Sequence, residues 1–278
     1  MRLDKYLAEQ YPHVTRSQIA AAIKRGDFKV NGQIVKAGHE LRPTDQVTGT
    51  LQTVCVTAEP ETIALDVVYE DEFLMVINKP RGMVVHPGAG VKSGTVLNAL
   101  LGRGQNHLER AGIVHRLDKN TAGLLIVAKT ADCQQRLGRM FEKHDIKRTY
   151  WGLVDGVIHT DQIIDRNIKR HPQHRTIFTT TEQGGRRAIT HLHVLERYAK
   201  HTLCEFTLET GRTHQIRVHC KSIHHPILGD PEYNSGSGQM LEALQLDFIH
   251  PMTEKEIHLQ IQPTKAFAEA REKCYHLK

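Results

Sequence analysis

This chain has neither a membrane-length apolar run nor a disulfide framework. No stretch approaches the ~18 consecutive apolar residues that a spanning helix needs, and the opening MRLDKYLAEQ lacks the apolar centre of a secretory signal. The five cysteines, at 55, 133, 204, 220 and 274, are odd in number, scattered and never in a C-x-x-C pair. They read as reduced thiols, so the expectation is a cytoplasmic protein with no membrane partner. Low-complexity segments and internal repeats are absent as well. The Gly-rich GMVVHPGAGVKSGT matches neither GxxxxGK[ST] nor a GxGxxG that opens a helix after a strand, which speaks against a nucleotide cofactor. HCKSIHH, residues 219–225, gathers His and Cys at spacings of no standard zinc site. HRLDKN, residues 115–120, departs from the kinase loop H-R-D-x-x-x-x-N by a displaced Asp, with neither D-F-G nor V-A-I-K elsewhere. No metal and no cofactor is expected.

What remains is a basic chain of 278 residues, 39% hydrophobic, long enough to bury a core and to divide into two units. Lys and Arg number 37 against 31 Asp and Glu, with 19 His besides. That excess favours a polyanionic partner, nucleic acid above all. At the front, Leu3, Tyr6 and Leu7 fall at helical spacing. Thr15 with Gln18 forms a T-x-x-Q capping box, followed by Ile19, Ala22 and Ile23 on one face. Gly26 is placed to end this second helix. Phe28 and Val30 alternate with polar neighbours, Asn31-Gly32 supplies a tight turn, and Ile34 and Val35 are expected to continue the return strand. Seven cations (Arg2, Lys5, Arg16, Lys24, Arg25, Lys29, Lys36) stand against three acids in residues 1–36. Such a charge run is more often a solvated face than a binding site. The pattern RLDKYL…TRSQIAAAIKRGDFKVNG as a whole, however, resembles the S4-type RNA-binding domain over residues 1–50. The resemblance implies a small α/β module whose Arg2, Lys5, Arg16, Lys24, Arg25 and Lys29 grip folded RNA, with salt-dependent contacts. LQTVCVTAEPET, residues 51–62, loses periodicity and ends near a Glu-Pro pair, the expected linker.

From residue 63 the pattern changes. IALDVVYEDEFLMVINKP holds two short β-rich runs around an acidic turn, stopped by Pro80. Leu137, Met140, Phe141 and His144 space as a helix, and TYWGLVDG as a strand ending at Gly156. Ala188, Thr190, Leu192 and Val194 alternate along one strand and Cys204, Phe206 and Leu208 along the next, an antiparallel hairpin. A helix starts near Thr213 with Ile216, Cys220 and Ile223 inward. Strands outnumber helices without regular βαβ alternation, so residues 63–278 form an α+β domain with a mostly antiparallel, mixed sheet flanked by helices.

Three charged clusters border these elements: HRLDK at 115–119, KRTY at 147–150 and TGRTHQIRVH at 210–219. Each alone has a plain structural explanation. An Asp entering a strand caps it, a Tyr at a strand start is half core, and an Arg in a helix's first turns faces solvent. Together, HRLDKNTAGLLIVAK, KRTYWGLVDG and LETGRTHQIRVH resemble the signature motifs of the RluA/RluD family of pseudouridine synthases. NKPRGMVVHPGAGVKSGTVLNALL, residues 78–101, and HPILGDPEYN, residues 225–234, extend the match. The nearest pattern is the RluD-like one, which acts on a stem-loop of 23S (large-subunit) ribosomal RNA.

The resemblance implies a pseudouridine synthase fold and four site residues. Asp118 matches the catalytic aspartate, Tyr150 the tyrosine that stacks on the base, Arg217 the arginine that pairs with the aspartate, and Arg116 the arginine that helps extrude the nucleotide. Lys147, Arg148 and Arg212 join the RNA grip, which the basic segments Arg136–Arg148 and Arg166–Arg175 extend. The chemistry fits these types. Breaking and remaking a glycosidic bond needs a carboxylate kept ionised by cations. Uracil leaves as a delocalised anion, so no second acid is required as it is in a glycosidase. An aromatic face can hold the detached base. The implied partner is ribosomal RNA, free or in a subunit precursor, met by a monomer. The alternatives are the same reaction on tRNA, and a non-catalytic RNA-binding role in ribosome assembly. Lys79 and His86 line the Gly-rich loop without a derivable role. Two departures stand out: Ala122 where Ser or Thr is common, a small-for-small change outside the chemistry, and Glu242 where the family pattern has His. The latter, with the short Gly/Ser-rich segment at 234–240, leaves the catalytic set intact and touches substrate choice more than activity, with an effect the sequence does not define.

Overall fold

A computed structural model describes residues 1–11, 16–51, 58–88, 90–174 and 176–276. The chain divides into two compact units, Met1–Thr57 and Ala58–Lys278. The front unit holds α1 (Leu3–Gln10), α2 (Arg16–Arg25), β1 (Phe28–Val30) and β2 (Val47–Gly49). Leu3, Leu7, Ile19, Ala22, Ile23, Phe28 and Val30 form its core, the faces that the spacing marks out. Gly26, at φ 90°, ends α2. Both the T-x-x-Q box at Thr15 and residues 52–57 of the expected linker lie outside the described residues.

One expectation fails here. Asn31 and Gly32 do adopt positive φ, 50° and 79°, and Val30 and Gln33 exchange backbone hydrogen bonds of 2.9 Å. The return strand, however, is not Ile34–Val35. Ile34 is 60% exposed, and β1 pairs instead with β2 at Phe28↔Gly49 through Val30↔Val47. A strand of three residues leaves too short an alternation to fix a partner, so the later Val47–Gly49 segment takes the ladder.

The large unit continues with β3 (Val67–Glu70), β4 (Leu74–Lys79), α3 (Val96–Gly102), a 3-10 turn at Glu109–Gly112, β5 (Ala122–Ala128), α4 (Ala131–Lys143) and β6 (Lys147–Asp155). Then come β7 (Gln162–Asp165), β8 (Asn167–Arg170), β9 (Phe178–Thr181), β10 (Ile189–Arg197), β11 (His201–Leu208) and α5 (Gln215–Ser222), followed by β12 (Leu241–Ile249), β13 (Glu256–Gln260) and α6 (Lys265–His276). Nine strands make one sheet in the order β3-β4-β5-β12-β6-β11-β10-β7, with β13 also on β12, and β8 and β9 form a separate hairpin. All neighbours run antiparallel except β5 and β12, which meet in parallel through two residue pairs, Glu242↔Ala122 and Ala243↔Gly123. This seam joins two antiparallel halves. Gly123 permits it: φ is +117°, and a Cβ there would sit 2.1 Å from the Ala243 carbonyl oxygen.

Alternation along the strands divides the core between two faces. Met75, Ile77, Leu125, Val127, Tyr150, Val154, Cys204 and Phe206 turn toward Val96, Leu97 and Leu100 of α3 and Ile216 and Cys220 of α5. Leu74, Val76, Leu124 and Ile126 turn the other way, against Cys133 and Leu137 of α4, and Leu153 and Leu203 against Phe267 of α6. The strand AGLLIVA is buried at all seven positions because both of its faces are covered. Each fully buried Leu or Ile there contributes about 1.5–3 kcal/mol.

Glu242 proves to be part of this scaffold. It is wholly buried on β12, receives Arg81 Nη2 at 3.3 Å, and accepts from the Thr264 backbone N–H at 2.8 Å and the Thr264 hydroxyl at 2.5 Å. Arg81 also donates to the Gln239 carbonyl. Glu242 thus ties the segment after β4 to the start of α6, and it does not line the cleft described next.

Candidate active site

Asp118 stands on the short segment that leads into β5, and its neighbours alternate in and out. His115 packs on Phe141 with ring centroids 4.5 Å apart, and its Nε2 accepts the Ile126 backbone N–H at 2.8 Å. Burial, helped by the charge of Arg148, pushes this imidazole down to about 3, so it stays neutral with its proton on Nδ1. Arg116 points to solvent and Leu117 enters the core at 4% exposure. The turn closes where the Thr121 N–H reaches the Asp118 carbonyl at 3.1 Å, and Gln239 fixes the Thr121 hydroxyl at 2.7 Å.

Lys79, at the end of β4, holds the same segment from below. Its fully buried Nζ donates to the carbonyls of Pro80 (2.9 Å), Met83 (2.9 Å) and Lys119 (3.2 Å). The Gly82 N–H adds a bond of 2.8 Å to the Lys119 carbonyl. Burial pulls the ammonium down to about 7; the Asp118 charge opposes that pull and the Arg81 charge adds to it. The backbone next to the carboxylate is therefore anchored from a strand 40 residues away. Nothing in the residue type Lys signals this, since lysine is ordinarily exposed.

Arg217 comes from α5. Gln215 fixes the preceding loop: its Oε1 accepts from the Thr210 hydroxyl (2.7 Å) and the Arg212 N–H (3.0 Å), and its Nε2 donates to the Ile189 carbonyl (2.9 Å) and the Thr190 hydroxyl (3.0 Å). Against the expectation for an arginine in a helix's first turns, Arg217 is only 3% exposed. Three carboxylates share its guanidinium. Nε and Nη2 take both oxygens of the fully buried Asp230 at 2.7 and 2.9 Å, Nη2 takes Glu232 at 2.5 Å, and Nη1 takes Asp118 Oδ2 at 3.1 Å. Tyr233 lies under the guanidinium, 4.9 Å from ring centroid to carbon. Burial works against the charge, but the bond to Asp230 and the charges of Asp118 and Asp230 outweigh it, so the arginine is held protonated more firmly than usual. Asp230 and Glu232 belong to HPILGDPEYN, which sequence reading marks without assigning them this task.

His214 precedes the helix at φ 56°. Its Nδ1 lies 2.9 Å from the Tyr233 hydroxyl and its Nε2 3.9 Å from Asp118 Oδ1. Burial lowers its pKa, the charge of Asp118 acting the other way. Tyr150, on β6 opposite Phe206 and Ala243, is 6% exposed, and burial raises its phenol, so it presents a neutral ring.

A cleft of about 550 Å³ brings Asp118, Arg116, Tyr150, Arg217, Arg148 and Arg212 together. Lys147 is exposed at the start of β6 and is not part of its lining. The other sequence candidates lie on the front unit. Lys5, Lys24 and Lys29 are exposed; Arg2 and Arg16 each reach Asp4 at 3.0 Å, and Arg25 reaches Asp27 at 2.6 Å. Of the basic segments, Arg136 bonds to Asp132 and to the Pro251 carbonyl, Arg166 bonds to the Ser222 carbonyl, and Arg175 lies outside the described residues. His219 and Cys220 are structural: the former contacts the Thr190 hydroxyl and the Arg166 carbonyl, and the latter is core. Among the described residues no cluster of His, Cys, Asp and Glu is arranged to hold a metal, and no helix is long and apolar enough to cross a membrane.

A carboxylate fixed on a cation shares one cleft with a tyrosine and three further arginines, a constellation suited to the base and sugar of a nucleic acid. Comparison with known proteins gives the class its name. The model of the RNA pseudouridylate synthase family matches residues 73–222, and that of the S4 domain residues 1–47. The chain is 43% identical to the "Uncharacterized RNA pseudouridine synthase YlyB" of Bacillus subtilis, over 96% of this chain and 92% of that one. It is 40% identical to the "Ribosomal large subunit pseudouridine synthase D" of Neisseria meningitidis serogroup B, over 93% of this chain and 75% of that one. Among solved structures, "Human RNA Pseudouridylate Synthase Domain Containing 1" superposes with a TM-score of 0.60 at 25% identity, over 74% of this chain and 87% of that one. The chain belongs to the RNA pseudouridylate synthase family, with an S4 domain ahead of the catalytic domain. It is an enzyme that isomerises uridine to pseudouridine in RNA.

Proposed function

We propose that this enzyme modifies uridines in a stem-loop of large-subunit ribosomal RNA, acting as a cytoplasmic monomer, with Asp118 as its catalytic carboxylate. The observation that carries the assignment is the Asp118–Arg217 pair at 3.1 Å, with Tyr150 in the same cleft. The relatives named for the large ribosomal subunit support the substrate, as does a front unit that exposes Lys5, Lys24 and Lys29. Arg2, Arg16 and Arg25, half or more than a third exposed beside their acids, complete that unit's basic set.

In the reaction the N1–C1′ bond of uridine breaks and a C5–C1′ bond forms. C5 gives up its proton and N1 gains one, so no electron acceptor enters the balance. Asp118 serves either by attacking C1′ or by taking the C2′ proton. In both routes the other carboxylate oxygen stays on Arg217, which supplies the counter-charge. Arg116, exposed at the cleft, takes the place in the stack that the target nucleotide leaves. Tyr150 keeps the freed uracil against its ring while the base turns, and Arg212 and Lys147 hold the strand outside.

Tyr150→Phe keeps the stacking face and is expected to change the rate by no more than about threefold, whereas Tyr150→Ala loses stacking of ~1–3 kcal/mol per base and slows the reaction about 100-fold. Equal losses in the two variants would transfer the role from the ring to the hydroxyl. The substrate is tested by mapping pseudouridines in total RNA from cells with and without this protein. Sites in large-subunit ribosomal RNA should disappear; loss confined to tRNA would overturn the substrate assignment.

A further inference from the structure

Three cations are buried in the large unit among the described residues, and two of them are satisfied. Lys79 has three carbonyls and Arg217 three carboxylates. Arg148 differs. It is 7% exposed, its Nε has no hydrogen-bond partner, and among the described residues the guanidinium makes no hydrogen bond or ion pair. The Phe141 ring supports it at 5.4 Å from the centroid. On another side is Gly211, where a Cβ would sit 3.1 Å from Nη1, so any side chain there would press on the guanidinium. Arg148 lines the catalytic cleft, and its charge is felt by both His115 and Tyr150.

A buried guanidinium without an acceptor is costly unless an anion completes it. The acids of the cleft do not: Asp118 is committed to Arg217, and Glu142 is exposed on α4. We propose that Arg148 is the receptor, inside the catalytic cleft, for a phosphate of the RNA strand that carries the target uridine. Its planar fork suits two phosphate oxygens. Arg148 and Tyr150 are two residues apart on β6 and so share one face, about 7 Å apart along the strand. That spacing is comparable with the reach from a nucleobase to its own phosphate. The same face thus holds the base on Tyr150 and the backbone on Arg148, fixing the sugar between them over Asp118. Gly211 keeps the guanidinium free to receive the anion.

The inference rests on the reading of the cleft as the uridine site, and the test separates the two. Full-length Arg148→Met and Arg148→Lys are compared with the parent in thermal unfolding, in binding to an unmodified large-subunit ribosomal RNA transcript over a range of KCl, and in single-turnover pseudouridine formation. Arg148→Met removes an uncompensated buried charge, so its unfolding midpoint should equal or exceed that of the parent. Its plot of log affinity against log salt should be shallower by about 0.7–0.9, one phosphate contact. Its rate should fall about 100-fold through misplacement of the sugar, and Arg148→Lys should recover part of both losses. An unchanged salt slope overturns the proposal, whether or not the midpoint falls, and a lowered midpoint with that slope makes Arg148 a structural residue. If the parent formed no pseudouridine while the slope still dropped, the uridine reading would fail and the phosphate receptor would stand.

Discussion

Asp118→Asn is expected to slow pseudouridine formation by on the order of 10⁴-fold or more, the scale seen when a covalent or proton-abstracting group is removed. RNA affinity should change by no more than about twofold, because phosphate contacts dominate it. The fold gives the variant a clean reading. Among the described residues the Asp118 side chain has one hydrogen-bond partner, Arg217, with His214 Nε2 3.9 Å away, and the amide is nearly the same size. Arg217 keeps Asp230 and Glu232, so its charge remains compensated and the protein should unfold at nearly the parental temperature. Turnover within tenfold of the parent in a single-turnover assay would remove Asp118 from the catalytic role.

Arg217→Met is the second large effect, and here stability and activity fall together. The substitution leaves Asp230, wholly buried, and the carboxylates of Glu232 and Asp118 without their cation. Breaking a buried pair from one side costs about 3–5 kcal/mol, which for a unit of this size lowers the unfolding midpoint by roughly 10 °C. Adding Asp230→Asn to Arg217→Met should recover part of the midpoint but none of the activity. A double variant no more stable than the single one would show that the cost lies in packing under Tyr233 rather than in charge.

Much of this was legible in the residues, and what was not has identifiable physical reasons. The apolar AGLLIVA run marks a strand covered on both faces, and the alternation of Ala188, Thr190, Leu192 and Val194 against Cys204, Phe206 and Leu208 foretells the β10–β11 pair. Asp118, Tyr150 and Arg217 are individually ordinary. Only the joint occurrence of three motifs singles them out, and they do line one cleft. The hidden parts are those in which distant segments meet. Lys79 looks like a surface cation until carbonyls from residues 80, 83 and 119 enclose it. Asp230 and Glu232 sit in a recognisable motif, but their grip on Arg217 depends on a turn that no periodicity encodes. Glu242 invites a reading as a substrate determinant because it departs from the family pattern. Its ion pair with Arg81 and its bonds to Thr264 make it a tie within the scaffold instead. The return strand of the front unit is missed because Ile34 and Val35 look as apolar as Val47, and only the completed ladder distinguishes them.

The seam between β5 and β12 has a consequence for when the enzyme becomes active during synthesis. Asp118 is delivered with the first antiparallel half, while Tyr150 and Arg217 belong to the second, and Arg217 follows Asp118 by 99 residues. Asp230, Glu232 and the β12 strand that closes the seam come later still. A nascent chain that has released Asp118 therefore has no Arg217 to set against it, and no complete cleft around it, until most of the polypeptide has left the ribosome. The proposed active site is complete only when nearly all of the large unit has been made, so an unfinished chain beside its own maker lacks part of the cleft.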